Sequence, residues 1–180
     1  MRYFITIIIL LFVIPRTEHA YSDSIEKGKA LVNEFGCVAC HTPKIETKLG
    51  LVPDPKRLLS GHSQNDEDLP NIPEGFIGDK MWAGAYSKSL TAWAGPWGVS
   101  FAANLTPDKE TGIGNWSRQN FISTIRLGIH TTSLARELSP AMPWRDLSKL
   151  SDDDLGAIYS YLMSLKPVKN KVPEHIDPKN

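Results

Sequence analysis

The chain carries two cysteines in 180 residues, and they lie three positions apart in Cys37-Val38-Ala39-Cys40-His41. No other feature restricts the fold as much. A disulfide between them would close almost no loop and would remove little unfolded-state entropy. A thioredoxin-like dithiol requires a βαβ context, and no such pattern surrounds the pair. A zinc site requires about four clustered ligands, and neither a second Cys pair nor a His-x-x-x-His is present. The reading that survives is covalent attachment of one c-type haem, whose signature is Cys-x-x-Cys-His. On one helical turn, Cys37 and Cys40 can each form a thioether to the vinyl groups on one side of a porphyrin. His41 follows closely enough for its imidazole to reach the iron from the proximal face.

The N-terminal segment suits such a cofactor. Arg2 precedes an apolar run over 5–14, and Ala20 offers a small residue for cleavage, so residues 1–20 read as a secretory signal peptide. Glu18 fits the small-residue rule poorly, which blurs the cut site. The apolar run is about half the length needed to span a bilayer. Covalent haem attachment belongs to the compartment beyond the membrane, so a periplasmic location follows. Membrane contact is then expected only through partners or an uncleaved signal segment. Twenty basic and twenty acidic residues cancel, which argues against nucleic acid or an anionic membrane surface as the main partner.

The rest of the chain divides by its punctuation. Residues 22–35 have helical spacing in Ile25, Gly28, Val32 and Phe35, with Ser22 or Ser24 as a cap and Gly36 as a break. Between 42 and 104 stand six prolines, which argue against long helices. Within that stretch, 64–68 is a polar loop. Residues 81–101 are rich in Trp, Tyr, Gly and Ala and suit a small hairpin or a lid of aromatic loops. Helical spacing returns at 115–129, with Ser117 as cap and Gly128 as stop. Residues 131–144 read as a loop containing Pro140 and Pro143. A final helix is expected at 151–165, opened by a Ser151/Asp154 capping box and ended by Pro167. The charged tail beyond Lys169 is expected to fray.

A second axial ligand would decide what the iron can do. Met142 lies in Ser139-Pro140-Ala141-Met142-Pro143-Trp144, where two prolines stiffen the loop and fix the direction of the thioether. A thioether raises the haem potential and fills the sixth position. Met81 is the main rival, whereas Met163 lies in the last helix and suits core packing. His62 and His130 could give bis-His ligation but read better as surface or loop histidines. Trp93, Trp97, Trp116 and Trp144 could pack on the haem or serve as core aromatics. Arg126 could meet a propionate, although a solvated helix position suits it better.

Three blocks resemble the class I-like monohaem cytochromes c, in their larger bacterial periplasmic form. They are 28–41, with Cys37, Cys40 and His41; 104–108 continuing through 112–116; and Met142-Pro143 with 150–155 and 159–162. The resemblance implies an all-α fold wrapped on one covalent haem, with the first and last helices crossing where Gly28 meets Tyr159. It implies His41 and Met142 as axial ligands, and a proline carbonyl, Pro43 being one option, as acceptor for His41 Nδ1. The domain layout expected is signal peptide 1–20, cytochrome c domain 21–169 with a loop-rich, Trp-rich insertion at 42–103, and flexible tail 170–180. The function implied is one-electron transfer between transient redox partner proteins, with no catalysis of its own. It could also serve as the cytochrome subunit of a dehydrogenase or oxidase. The alternative is a haem enzyme or gas-binding sensor with a displaceable sixth ligand.

Overall fold

The computed structural model describes residues 16–64, 83–131 and 136–178, with side chains from Ala20 onward. The start of the expected signal segment, Met81 and Trp82 lie outside the described residues.

The first helix, α1 (Arg16–Glu34), is longer than its spacing suggests, so Ser22 and Ser24 lie inside it. Gly36 then takes a left-handed φ of 65°, a conformation that costs a residue with a Cβ, and the chain turns into the five-residue helix α2 (Cys37–His41). Further on come α3 (Arg118–Leu127), α4 (Trp144–Leu147) and α5 (Asp152–Ser164). Local chemistry explains their ends. Ser117 accepts from the Asn120 amide, and Gly128 closes α3 at φ 67°. Ser151 and Asp154 form a reciprocal capping box at the start of α5. The short α4 begins at Trp144, the last residue of the stretch expected to be a loop.

α1 packs along α5. At the crossing, a Cβ on Gly28 would collide with the Ala157 carbonyl and crowd Tyr161 Cβ, so only glycine permits this approach. The aromatic neighbour is therefore Tyr161 and not Tyr159. Tyr159 instead donates its hydroxyl to the Trp116 carbonyl at 2.7 Å and lies 5.9 Å from the Phe121 ring. Val32, Phe121, Ile122, Ile125, Leu147, Leu155, Ile158 and Leu162 bury their side chains in the core these helices share.

The fold is not all-α. β1 (Lys44–Thr47) and β2 (Gly50–Pro53) form an antiparallel hairpin. β3 (Ala85–Tyr86), β4 (Ala92–Gly95) and β5 (Gly98–Phe101) form an antiparallel sheet in that order. Both lie in the 42–103 insertion. Its prolines and glycines interrupt helix, and backbone groups that cannot pair within a helix pair across short ribbons instead. Along β4 and β5 the buried positions alternate, as one-sided packing requires. For 81–101 the hairpin expectation thus matches what β4 and β5 form.

The tail also departs from expectation. Asn170 is 6% exposed, and Ile176 exchanges backbone hydrogen bonds with Val99 of β5 at 2.8 and 2.9 Å. Residues 168–176 lie as a strap against the insertion, bonded to the Ser60 and His62 carbonyls and to the Val99 backbone.

Candidate functional site

α2 places Cys37, Cys40 and His41 on a little over one turn, with all three side chains half-buried. No disulfide joins the two cysteines. Burial pushes the Cys37 thiol up to about 11 and raises Cys40 as well, despite the nearby Lys44 ammonium. A redox dithiol depends on a depressed thiol pKa, so this environment opposes that role. Among the described residues, no group of three or more His, Cys, Asp or Glu could hold a metal ion. Lys44 closes the end of α2 by donating to the carbonyls of Ala39 and Thr42 at 2.6 and 2.9 Å, where a cation complements the helix dipole.

His41 is held twice. Its Nδ1 lies 2.8 Å from the Ala103 carbonyl oxygen. A carbonyl can only accept, so Nδ1 carries the proton and Nε2 keeps its lone pair. The acceptor is thus an alanine after β5 and not Pro43, which gives its carbonyl to the Asp54 amide at 2.8 Å. The main-chain carbonyl of His41 accepts from the Gly61 amide at 2.7 Å. Burial lowers the imidazole pKa and favours the neutral ring, only partly opposed by the Ala103 bond.

The segment 59–62 makes this clasp. Leu59 is fully buried at φ 57°, a left-handed conformation that costs a leucine about 1–2 kcal/mol. It is held there by Thr42 Oγ1, which accepts from its amide at 3.0 Å, and by the Leu105 amide, which donates to its carbonyl at 2.9 Å. Gly61 follows, so close to 102–104 that a Cβ would lie 2.5 Å from the Ala102 oxygen.

Met142 is half-buried and packs at the edge of the core. Its loop is fastened on both sides. Ser139 Oγ meets Ser100 Oγ at 2.7 Å, and the Trp144 ring lies so close to Gly128 that any Cβ there would strike it. His41 and the Met142 loop are therefore both tied to residues 100–103.

Other candidates have other occupations. His62 is buried, not superficial: Nδ1 meets Thr91 Oγ1 at 2.8 Å, and the ring lies 5.0 Å from Phe101. His130 is half-buried, 3.2 Å from Arg136 and edge-on to Trp116. Arg126 donates to the Ser148 carbonyl and, at 2.7 Å, to Asp152, which joins α3 to the start of α5. Met163 packs at the core edge, as a helical methionine should. Ala103, Gly61 and Asn170 went unremarked in the sequence; a carbonyl acceptor leaves no signal, since every residue has one.

Paired thiols on one turn beside an imidazole with a free Nε2 fit a c-type haem. The cytochrome c family model matches residues 25–166. The chain belongs to the cytochrome c family, whose members bind haem c covalently and transfer electrons through it. Among curated relatives, the fructose dehydrogenase cytochrome subunit of Gluconobacter japonicus is 29% identical over 161 residues, 89% of this chain and 25% of that protein. The gluconate 2-dehydrogenase cytochrome c subunit of Pantoea cypripedii is 27% identical over 86% of this chain and 26% of its own. The cytochrome c subunit of the quinone-dependent alcohol dehydrogenase of Gluconobacter oxydans is 40% identical over 82 residues, 44% of this chain and 17% of that protein. The chain thus spans about a quarter or less of the length of these relatives. No helix among the described residues is long and apolar enough to cross a membrane.

Proposed function

We propose that Cys37 and Cys40 hold one haem through thioethers, that His41 and Met142 are its axial ligands, and that the protein relays single electrons in the periplasm to or from a dehydrogenase. The observation that carries this reading is the 2.8 Å contact between His41 Nδ1 and the Ala103 carbonyl, which leaves Nε2 as a neutral donor beside two thiols on one turn. When bound, the haem iron supplies a centre that gains and loses one electron.

The chain's own residues have distinct tasks. Ala103 fixes the imidazole tautomer and increases its basicity. Pro140 and Pro143, with the Ser100–Ser139 contact, restrain the loop that carries the Met142 thioether. With both His41 and Met142 as ligands, the iron would have no position for substrate, and the protein would transfer electrons without catalysing a reaction of its own. The net charge of zero makes docking with a redox partner weakly dependent on salt. Three relatives are named as subunits of dehydrogenases, and that supports a dehydrogenase as the partner class.

A spectroscopic redox titration of wild type and Met142→Ala tests the reading. The variant should have a lower midpoint potential and should bind carbon monoxide rapidly when reduced, whereas wild type should not. Rapid carbon monoxide binding by wild type would instead favour a gas-binding or enzymatic haem. A thioether-to-iron band that persisted in Met142→Ala would transfer the ligand role to another methionine, Met81 first.

A further inference from the structure

We propose that Asn170, on the C-terminal strap, is a positioning residue for His41. The inference rests on the reading of His41 as the haem ligand.

Asn170 is nearly inaccessible to solvent, and every polar group it has is engaged. Its Nδ2 donates to the Ser60 carbonyl and to the His62 carbonyl, each at 2.7 Å. Its Oδ1 accepts from the Gln64 amide at 3.0 Å. Its own amide donates to Thr111 Oγ1 at 3.0 Å, and its carbonyl accepts from Asn104 Nδ2 at 3.4 Å. A side-chain amide offers two donors, and here both go to the residues on either side of Gly61. Gly61 donates to the His41 carbonyl. The backbone half of the His41 clasp is thus gripped from the tail.

The side-chain half is gripped from the same place. Asn104 follows Ala103, whose carbonyl holds His41 Nδ1. Asn104 Nδ2 reaches the tail carbonyl of Val168 at 2.8 Å, and the Val168 amide donates to Thr106 Oγ1 at 3.1 Å. Asn104 Oδ1 accepts from both the amide and the hydroxyl of Thr106, at 3.0 and 2.8 Å. Gly61 and Ala103 approach His41 from two separate segments, and Asn170 is bonded to both the 60–64 turn and Asn104. A fully satisfied buried network of this kind has one geometry. It sets the distance between the two segments, and with it the strength and direction of the Nδ1 bond. Hydrogen bonding to the far ring nitrogen is one means by which a protein adjusts a metal-bound imidazole.

The test uses the haem-loaded protein. Asn170→Ala removes both donors, so Ser60, His62 and the Gly61 turn lose their hold, and the Nδ1 bond weakens. A less basic imidazole stabilises oxidised iron less, so the midpoint potential should rise. The His41 ring-proton resonances should shift, and the Gly61 amide should exchange faster with solvent. Asn170→Gln, which keeps the amide chemistry, should recover part of all three changes. Glu110→Gln removes only the exposed ion pair with Lys169 on the same strap, 2.6 Å long, and should leave potential and resonances at wild-type values. Should Asn170→Ala fail to fold, Asn170→Ser carries the same criteria. A potential and His41 resonances unchanged in the Asn170 variant would overturn the inference while leaving haem ligation by His41 intact. Wild-type protein whose mass shows no bound haem would overturn the ligation reading itself.

Discussion

At the scale of single residues, environment decides protonation. His130 is poorly solvated and faces the Arg136 guanidinium, and its pKa falls from the usual 6.5 to about 4. The folded protein therefore binds this proton less readily than the unfolded chain does. The sign follows directly: stability is unaffected above pH 6.5, declines as pH falls from 6.5 toward 4, and levels off below that. Denaturant unfolding across this range should show the decline in wild type and a flatter profile in His130→Gln. A wild-type profile that His130→Gln leaves unaltered would refute the assignment. His41 has the same direction of shift from the same principal cause, burial, and the neutral form this favours is the one its proposed ligand role needs.

At the scale of elements, two glycines on facing helices make opposite predictions. Gly28 of α1 meets backbone of α5, the Ala157 carbonyl, which cannot swing away. Gly28→Ala should therefore force the helices apart and cost about 1–3 kcal/mol, the usual range for overpacking a core. The atoms nearest a Cβ on Gly156 of α5 belong to the Arg118 guanidinium, the far end of a flexible side chain. That group can move, and alanine is about 1 kcal/mol better than glycine in a helix interior. Gly156→Ala should thus be near neutral or mildly stabilising. Thermal unfolding of the two variants side by side checks both, and a smaller loss for Gly28→Ala than for Gly156→Ala would contradict the packing account.

At the scale of the whole molecule, the fold has two parts of different character. The helical part has an apolar core shared by α1, α3, α4 and α5. The insertion consists of short ribbons fastened by polar contacts and by the strap, with a small set of buried apolar residues. A ligand that binds only the folded state stabilises it, and the proposed haem would add apolar contact beside α2. The Cys37→Ala, Cys40→Ala double variant should accordingly lose most of its far-ultraviolet helical signal and unfold at much lower denaturant than the haem-loaded protein. Native-like helicity in that variant would show that the chain folds without its cofactor.

What could be read from the sequence alone was what depends on neighbours along the chain. The Cys37–Cys40–His41 spacing, the Ser117 and Ser151 caps and the Gly36 and Gly128 turns each act within about one or two helical turns, so their chemistry is written in adjacent letters. The burial of His62, the Ala103 acceptor, the pairing of Val99 with Ile176 and the Asn170 clasp come from pairings between distant segments. His41 and Ala103 are 62 residues apart, and Asn170 and Ser60 are 110. A carbonyl or an asparagine carries no mark of the partner it will meet across such a separation. Only the folded chain, in which burial makes an unpaired polar group costly, selects that partner.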